Sequence, residues 1–112
     1  MKINKTLVVG GGFGGIAAAL RMKALGHDVT IIDRLSKLGG RAQVIDRNGY
    51  KYDTGPTVIT APFLFKELFN LFDENIEDYL DFKPLEPWYR FYFHDGSSFD
   101  YSSSINKTKE EI

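Results

Sequence analysis

The sequence contains no cysteine. That absence excludes a disulfide framework, a thiolate metal site and a redox dithiol, so any electron chemistry must come from a bound cofactor. Histidine is scarce. His27 and His94 stand without a second ligand at metal spacing, which argues for no metal and against a histidine general base, and His27, just past Gly26, reads as solvated. Charge of one sign is also missing. With 14 Lys and Arg against 15 Asp and Glu, scattered along the chain, the net charge is −1, and there is no footprint for nucleic acid. No apolar run approaches the ~20 residues of a membrane span, and Leu7-Val8-Val9 is too short for the core of a secretion signal. A cytoplasmic location is the expectation. The Asn-Lys-Thr triplets at Asn4 and Asn106 are then chance matches to a glycosylation pattern. No repeat or low-complexity tract interrupts the chain. What remains is ordinary globular composition, 43% hydrophobic and 26% charged over 112 residues, enough for one domain or part of a larger one.

From Ile3 to Asp33 the pattern is strand, glycine turn, helix, strand. Leu7-Val8-Val9 ending at Gly10 reads as a parallel strand buried on both faces. Ile16, Ala19 and Leu20 recur at helical spacing, and Gly26 stands where a C-cap belongs. Val29 to Ile32 is a second, β-branched strand, which completes one βαβ unit. Beyond it, Leu38-Gly39-Gly40-Arg41 is a glycine loop, and Ala42 to Tyr52 reads as a hairpin turning at Asn48-Gly49. Leu64, Phe65, Leu68, Phe69 and Phe72 predict an amphipathic helix with Pro62 near its start. Aromatic strands follow, Trp88 to Phe93 and Phe99 to Tyr101, joined across Asp95-Gly96. Asn106 to Ile112 reads as the opening of a helix. The change of character falls between Asp73 and Tyr79. It suggests two parts, a nucleotide-binding segment over 1–73 and an incomplete second domain over 74–112.

Gly10, Gly12 and Gly15 form a G-x-G-x-x-G pattern, with Phe13 and Gly14 between the last two. Its context gives it weight: a buried strand precedes it, a helix follows, and Asp33 ends the next strand, 33 − 15 = 18 residues past the last glycine. Each glycine has a task in such a motif. The first permits the tight turn, the second lets the main chain approach a pyrophosphate, and the third lets helix pack on strand. The helix N-terminus faces the phosphates, and the carboxylate accepts from a ribose diol and disfavours a 2′-phosphate.

The pair Gly39-Gly40 with Arg41 resembles the double-glycine motif of the glutathione-reductase-like flavoproteins, the amine oxidase and desaturase group. The resemblance narrows downstream. Tyr52-Asp53-Thr54-Gly55-Pro56-Thr57-Val58-Ile59-Thr60 and Tyr89-Arg90 are similar to the N-terminal segment of the bacterial-type phytoene desaturases. It implies an α/β fold of the FAD/NAD(P)-binding Rossmann-like type, with the start of a mixed α+β substrate domain, and FAD as cofactor. Gly10, Gly12 and Gly15 would hold the pyrophosphate and Asp33 the adenosine ribose, with Phe13, Gly14 and Arg34 also among the cofactor-binding residues. Gly39, Gly40 and Arg41 would form the second loop, with Gly55, Pro56 and Thr57 near the flavin end. Three departures stand out. Asp33 replaces the more usual Glu, Lys37 replaces Arg, and Gln43 or Val44 stands where Ser or Thr is common.

The implied reaction is removal of hydrogens from a hydrophobic polyene such as phytoene, collected at a membrane surface to which the protein would be peripheral. No residue presents itself as catalytic, and the segment alone is expected to be inactive. Trp88, Tyr89, Phe91, Tyr92 and Phe93 read as sheet core in preference to a channel lining. Two alternatives stand beside the desaturase: an amine or porphyrinogen oxidase of the same superfamily, and a truncated, non-catalytic dinucleotide-binding remnant.

Overall fold

A computed structural model describes residues 3–55 and 58–111, so Pro56 and Thr57 of the expected flavin-end loop lie outside the described residues. The chain forms two compact units, the first ending at Leu80 and the second beginning at Asp81. Both are mixtures of helix and strand.

The first unit opens with β1 (Lys5–Val9), α1 (Phe13–Ala24) and β2 (Asp28–Ile32). The strands are parallel, with Val8 beside Ile31 and Val9 beside Ile32. Because α1 packs on one face only, side chains alternate: Thr6, Val8, Val29 and Ile31 are half-buried beneath it, while Leu7 and Val9 are 60% and 78% exposed. The expectation of a strand buried on both faces is therefore corrected. A continuous apolar run is compatible with two covered faces, but among the described residues only α1 supplies a cover. Helix α1 buries Ala19, and past its last turn Gly26 takes φ +84 and donates to the Lys23 carbonyl at 2.9 Å. His27 is not simply solvated: its Nδ1 shares a 2.8 Å hydrogen bond with Thr6 Oγ1, joining the foot of β2 to β1.

Strands β3 (Val44–Arg47) and β4 (Tyr50–Asp53) make the expected hairpin, with Asn48 and Gly49 both at positive φ, 54° and 80°, as a two-residue turn of this hand requires. Helix α2 (Pro62–Asn70) begins with proline, whose missing N–H costs nothing there. It is tied to α1 by an edge-to-face contact of Phe13 with Phe65, centroids 5.6 Å apart, and by a 2.8 Å Arg21–Glu67 ion pair. A 3₁₀ turn over Ile76–Asp78 folds back onto α2, burying Ile76 and stacking Tyr79 against Phe69 at 5.2 Å. The packing break thus follows Leu80, later than the change in sequence character after Asp73.

The second unit is a ribbon of β5 (Tyr89–Tyr92) and β6 (Ser98–Tyr101), followed by α3 (Ile105–Glu110), whose Ser104 cap accepts from the Lys107 N–H. The strands join, as expected, across Asp95-Gly96, in a three-residue loop: Phe93 pairs with Ser97, and Gly96 at φ +87 closes the loop while the Asp95 carboxylate accepts from Ser97. Directly opposed Arg90 and Asp100 form a two-armed ion pair at 2.6 and 2.7 Å. The ribbon aromatics are not core, which corrects that expectation. Trp88, Tyr89, Phe91, Tyr92 and Phe93 are all exposed, because among the described residues no second layer covers a two-stranded ribbon.

Candidate functional site

The three motif glycines fall into three different environments. Gly10 has φ +100, a backbone conformation that L side chains rarely adopt, and turns the chain out of β1. Gly15 is held against β1, where a Cβ would overlap the Gly10 carbonyl oxygen. Gly12 has neither reason. Its φ is −78° and its ψ −177°, ordinary extended backbone, and a Cβ there would meet nothing nearer than Gly40 Cα at 3.9 Å. Gly14, within α1, also looks onto open space.

The second glycine loop is packed against the first. Gly39 N–H donates to the Gly11 carbonyl at 2.7 Å, and a Cβ on Gly40 would stand 3.0 Å from Gly12 Cα. Gly39 and Gly40, at φ +118 and +59, make that approach with main chain alone. Gly55 joins from the end of β4, so close to the Arg41 carbonyl that a Cβ would overlap it, while Thr54 Oγ1 donates to the Gln43 carbonyl at 2.7 Å. Three segments far apart in sequence thus meet through backbone, at the carboxyl ends of two parallel strands. Crevices at that end of an open α/β sheet are where ligands bind. An open recess of about 480 Å³ lies here, lined by Val9, Gly10, Ile32, Asp33 and Arg34.

Asp33 sits at its edge. Oδ2 accepts from Gly11 N–H at 2.7 Å and Oδ1 from Leu35 N–H at 2.8 Å. Chiefly the Gly11 bond, then the Leu35 bond, with Arg34 adding a weaker attraction, hold its carboxyl below the usual carboxylate range. A carboxylate offers about four lone-pair positions, so two remain for a ribose diol. Arg34 and Arg41 form no ion pair among the described residues, leaving two cations with several donors each beside the loops.

The arrangement fits a dinucleotide. Main chain stripped of side chains faces open space at Gly12, an ionised acceptor stands at the strand end, and the Arg34 guanidinium, in no ion pair among the described residues, attracts it. Of the residues expected here, Gly10, Gly12, Gly14, Gly15, Asp33, Arg34, Gly39, Gly40, Arg41 and Gly55 belong to these loops and strand ends. The Phe13 ring instead packs on Phe65 of α2, so a role at the cofactor would fall to its main chain. Sequence reading missed the bonds Gly11 makes to Asp33 and Gly39. The only signal for them was that three consecutive glycines exceed what the motif needs. No cluster of His, Cys, Asp or Glu among the described residues could hold a metal, and none of their helices is long and apolar enough to cross a membrane.

Comparison with known proteins bears on the same residues. The lycopene-forming phytoene desaturase of Pseudescherichia vulneris is 38% identical over 110 residues, covering 98% of this chain and 22% of that protein. The 4,4'-diaponeurosporene oxygenase of Staphylococcus haemolyticus is 33% identical over 107 residues, covering 96% and 21%. The chain therefore spans about a fifth of the length of these curated relatives. An oxidoreductase of known crystal structure from Methanosarcina mazei matches with a TM-score of 0.50 and 30% identity, over 57% of this chain and 17% of that one. The sequence model of the flavin containing amine oxidoreductases matches residues 13–111, from the first turn of α1 past the end of α3, and on that match the chain belongs to the flavin containing amine oxidoreductase family.

Proposed function

We propose that this chain is the FAD-binding N-terminal segment of a Rossmann-like, glutathione-reductase-type flavoprotein that desaturates a hydrophobic polyene such as phytoene. The observation that carries the reading is Gly12. Its backbone angles suit any amino acid and no atom of the described residues crowds it, so we read the lack of a side chain there as room for a ligand. On this reading Gly10, Gly12, Gly14, Gly15 and the main chain of Phe13 cradle the pyrophosphate, while Asp33 and Arg34 hold the adenosine ribose. Gly39, Gly40 and Arg41 close over the phosphates, and Gly55, Pro56 and Thr57 lie toward the flavin ring. Residues 1–73 are the flavin-binding part, and 74–112 begin a mixed α+β substrate domain. Bound flavin supplies a two-electron acceptor for hydrogens taken from an unactivated carbon chain. A polyene of this kind resides in a membrane, so the protein works from the cytoplasmic side, peripheral to the lipid surface.

The family match alone would equally suit an amine oxidase. The curated relatives favour carotenoid chemistry, and the oxygenase among them supports a second reading, in which a polyene is oxidised and not desaturated. One experiment separates the three. The purified full-length protein is expected to show flavin absorbance, to release FAD on heating, and to convert phytoene in liposomes to products absorbing at longer wavelength with no gain of oxygen by mass. Flavin-loaded protein that oxidises amines and leaves phytoene unchanged would overturn the desaturase reading; oxygenated product would favour the second.

A further inference from the structure

Gly11 is gripped by both of its main-chain polar groups. Its N–H donates to Asp33 Oδ2 and its carbonyl accepts from Gly39 N–H, each at 2.7 Å, and the residue is buried. Asp33 itself is fixed by the Leu35 N–H on its other oxygen. A glycine without such anchors is the least constrained residue in a chain, since φ and ψ are limited by no Cβ. Releasing the N–H lets Gly11 turn, and its carbonyl then leaves Gly39. A carboxylate that served only a ribose would need neither of the internal donors it has.

We propose that Asp33 is a positioning residue that locks the two glycine loops together through Gly11 before any ligand arrives. The loops are the walls of the site, so their spacing is set by a side chain that touches only one of them. The inference deepens the flavin-site reading and rests on it for its purpose, yet its test is made without flavin. Amide hydrogen exchange is followed by NMR in the flavin-free protein, wild type against Asp33→Ala, with Asp33→Leu as a second variant that keeps volume at the site while removing both acceptors. Gly39, which Asp33 does not touch, is expected to exchange roughly five- to tenfold faster together with Gly11, the effect of one supporting hydrogen bond on a local opening, while amides of β1 and β2 keep their rates. Unchanged exchange at Gly39 in a folded variant overturns the proposal, as does acceleration spread evenly over β1 and β2. A wild-type protein that binds no flavin would sink the reading of the site and leave the loop lock standing.

Discussion

At the scale of single residues, Gly12 and Gly15 make opposite demands within one motif. A methyl group at Gly15 must push α1 away from the Gly10 carbonyl, and because the obstacle is backbone it cannot rotate aside. Gly15→Ala should therefore cost about 2 kcal/mol or more of stability, read as a lower urea midpoint. Gly12→Val should leave the midpoint almost unchanged and abolish flavin binding, checked by absorbance of the folded protein after gel filtration. Flavin at wild-type occupancy in Gly12→Val would return that glycine to the fold. The spacing of the motif made both positions legible in the sequence, because each task needs a glycine at a fixed place in a strand, turn and helix. Asp33 was legible as an acceptor but not as a lock. Which donors fill it depends on Gly11 and Leu35 meeting it in space, and no periodicity reports that.

Among the elements, the β5–β6 ribbon depends most on charge. The Arg90 guanidinium bonded to Asp100 holds that carboxyl below the usual range, and the bond to Ser97 does the same for Asp95. Depressed folded-state values mean the unfolded chain binds more protons in this window, so stability is full above the ordinary carboxylate range and is lost as pH falls through the lowered values. The ribbon should accordingly loosen between about pH 5 and pH 2. Fluorescence of Trp88, packed edge-on to Tyr101 at 5.5 Å, is the probe. In Asp100→Asn the acid transition should be shallower and the ribbon weaker at neutral pH, and an unchanged transition would put the acid sensitivity elsewhere. By contrast the exposed Arg21–Glu67 pair between α1 and α2 should contribute under ~1 kcal/mol, so Glu67→Gln should hardly alter the melting temperature. Elements with local signals were read correctly, as Asn48-Gly49 and Pro62 illustrate. Asp95-Gly96 likewise marked the place of the second turn but not its length, since Asp-Gly suits a turn of two residues or of three and the Phe93–Ser97 pair decides.

For the whole molecule, the open face of β1 and β2 matters most. Leu7, Val9 and Ile32 lie side by side on it, all exposed. Contiguous apolar surface beside unpaired strand edges favours self-association. Residues 1–112 expressed alone should elute above the monomer mass in light scattering, and Val9→Lys, which charges the open face without touching the helix-covered one, should shift them toward monomer. A monodisperse monomer of the unaltered chain would refute this. The bareness of that face was invisible in the sequence. Leu7-Val8-Val9 specifies a strand able to be covered twice, whereas the number of covers is fixed by what packs there.

The grip on Gly11 also bears on how such a site changes as sequences diverge. Of the groups that hold the loops together, the N–H of Gly11, its carbonyl, and the N–H of Gly39 are main chain, present in every amino acid save for the N–H of proline. Their placement is less secure than their presence: Gly39 holds φ +118, which L side chains rarely adopt, and a Cβ on Gly11 would have to displace the Leu38 side chain. Position 33 exposes the lock through its side chain and position 39 through its backbone conformation, so a lineage that abandons its nucleotide while keeping its fold is free to lose either.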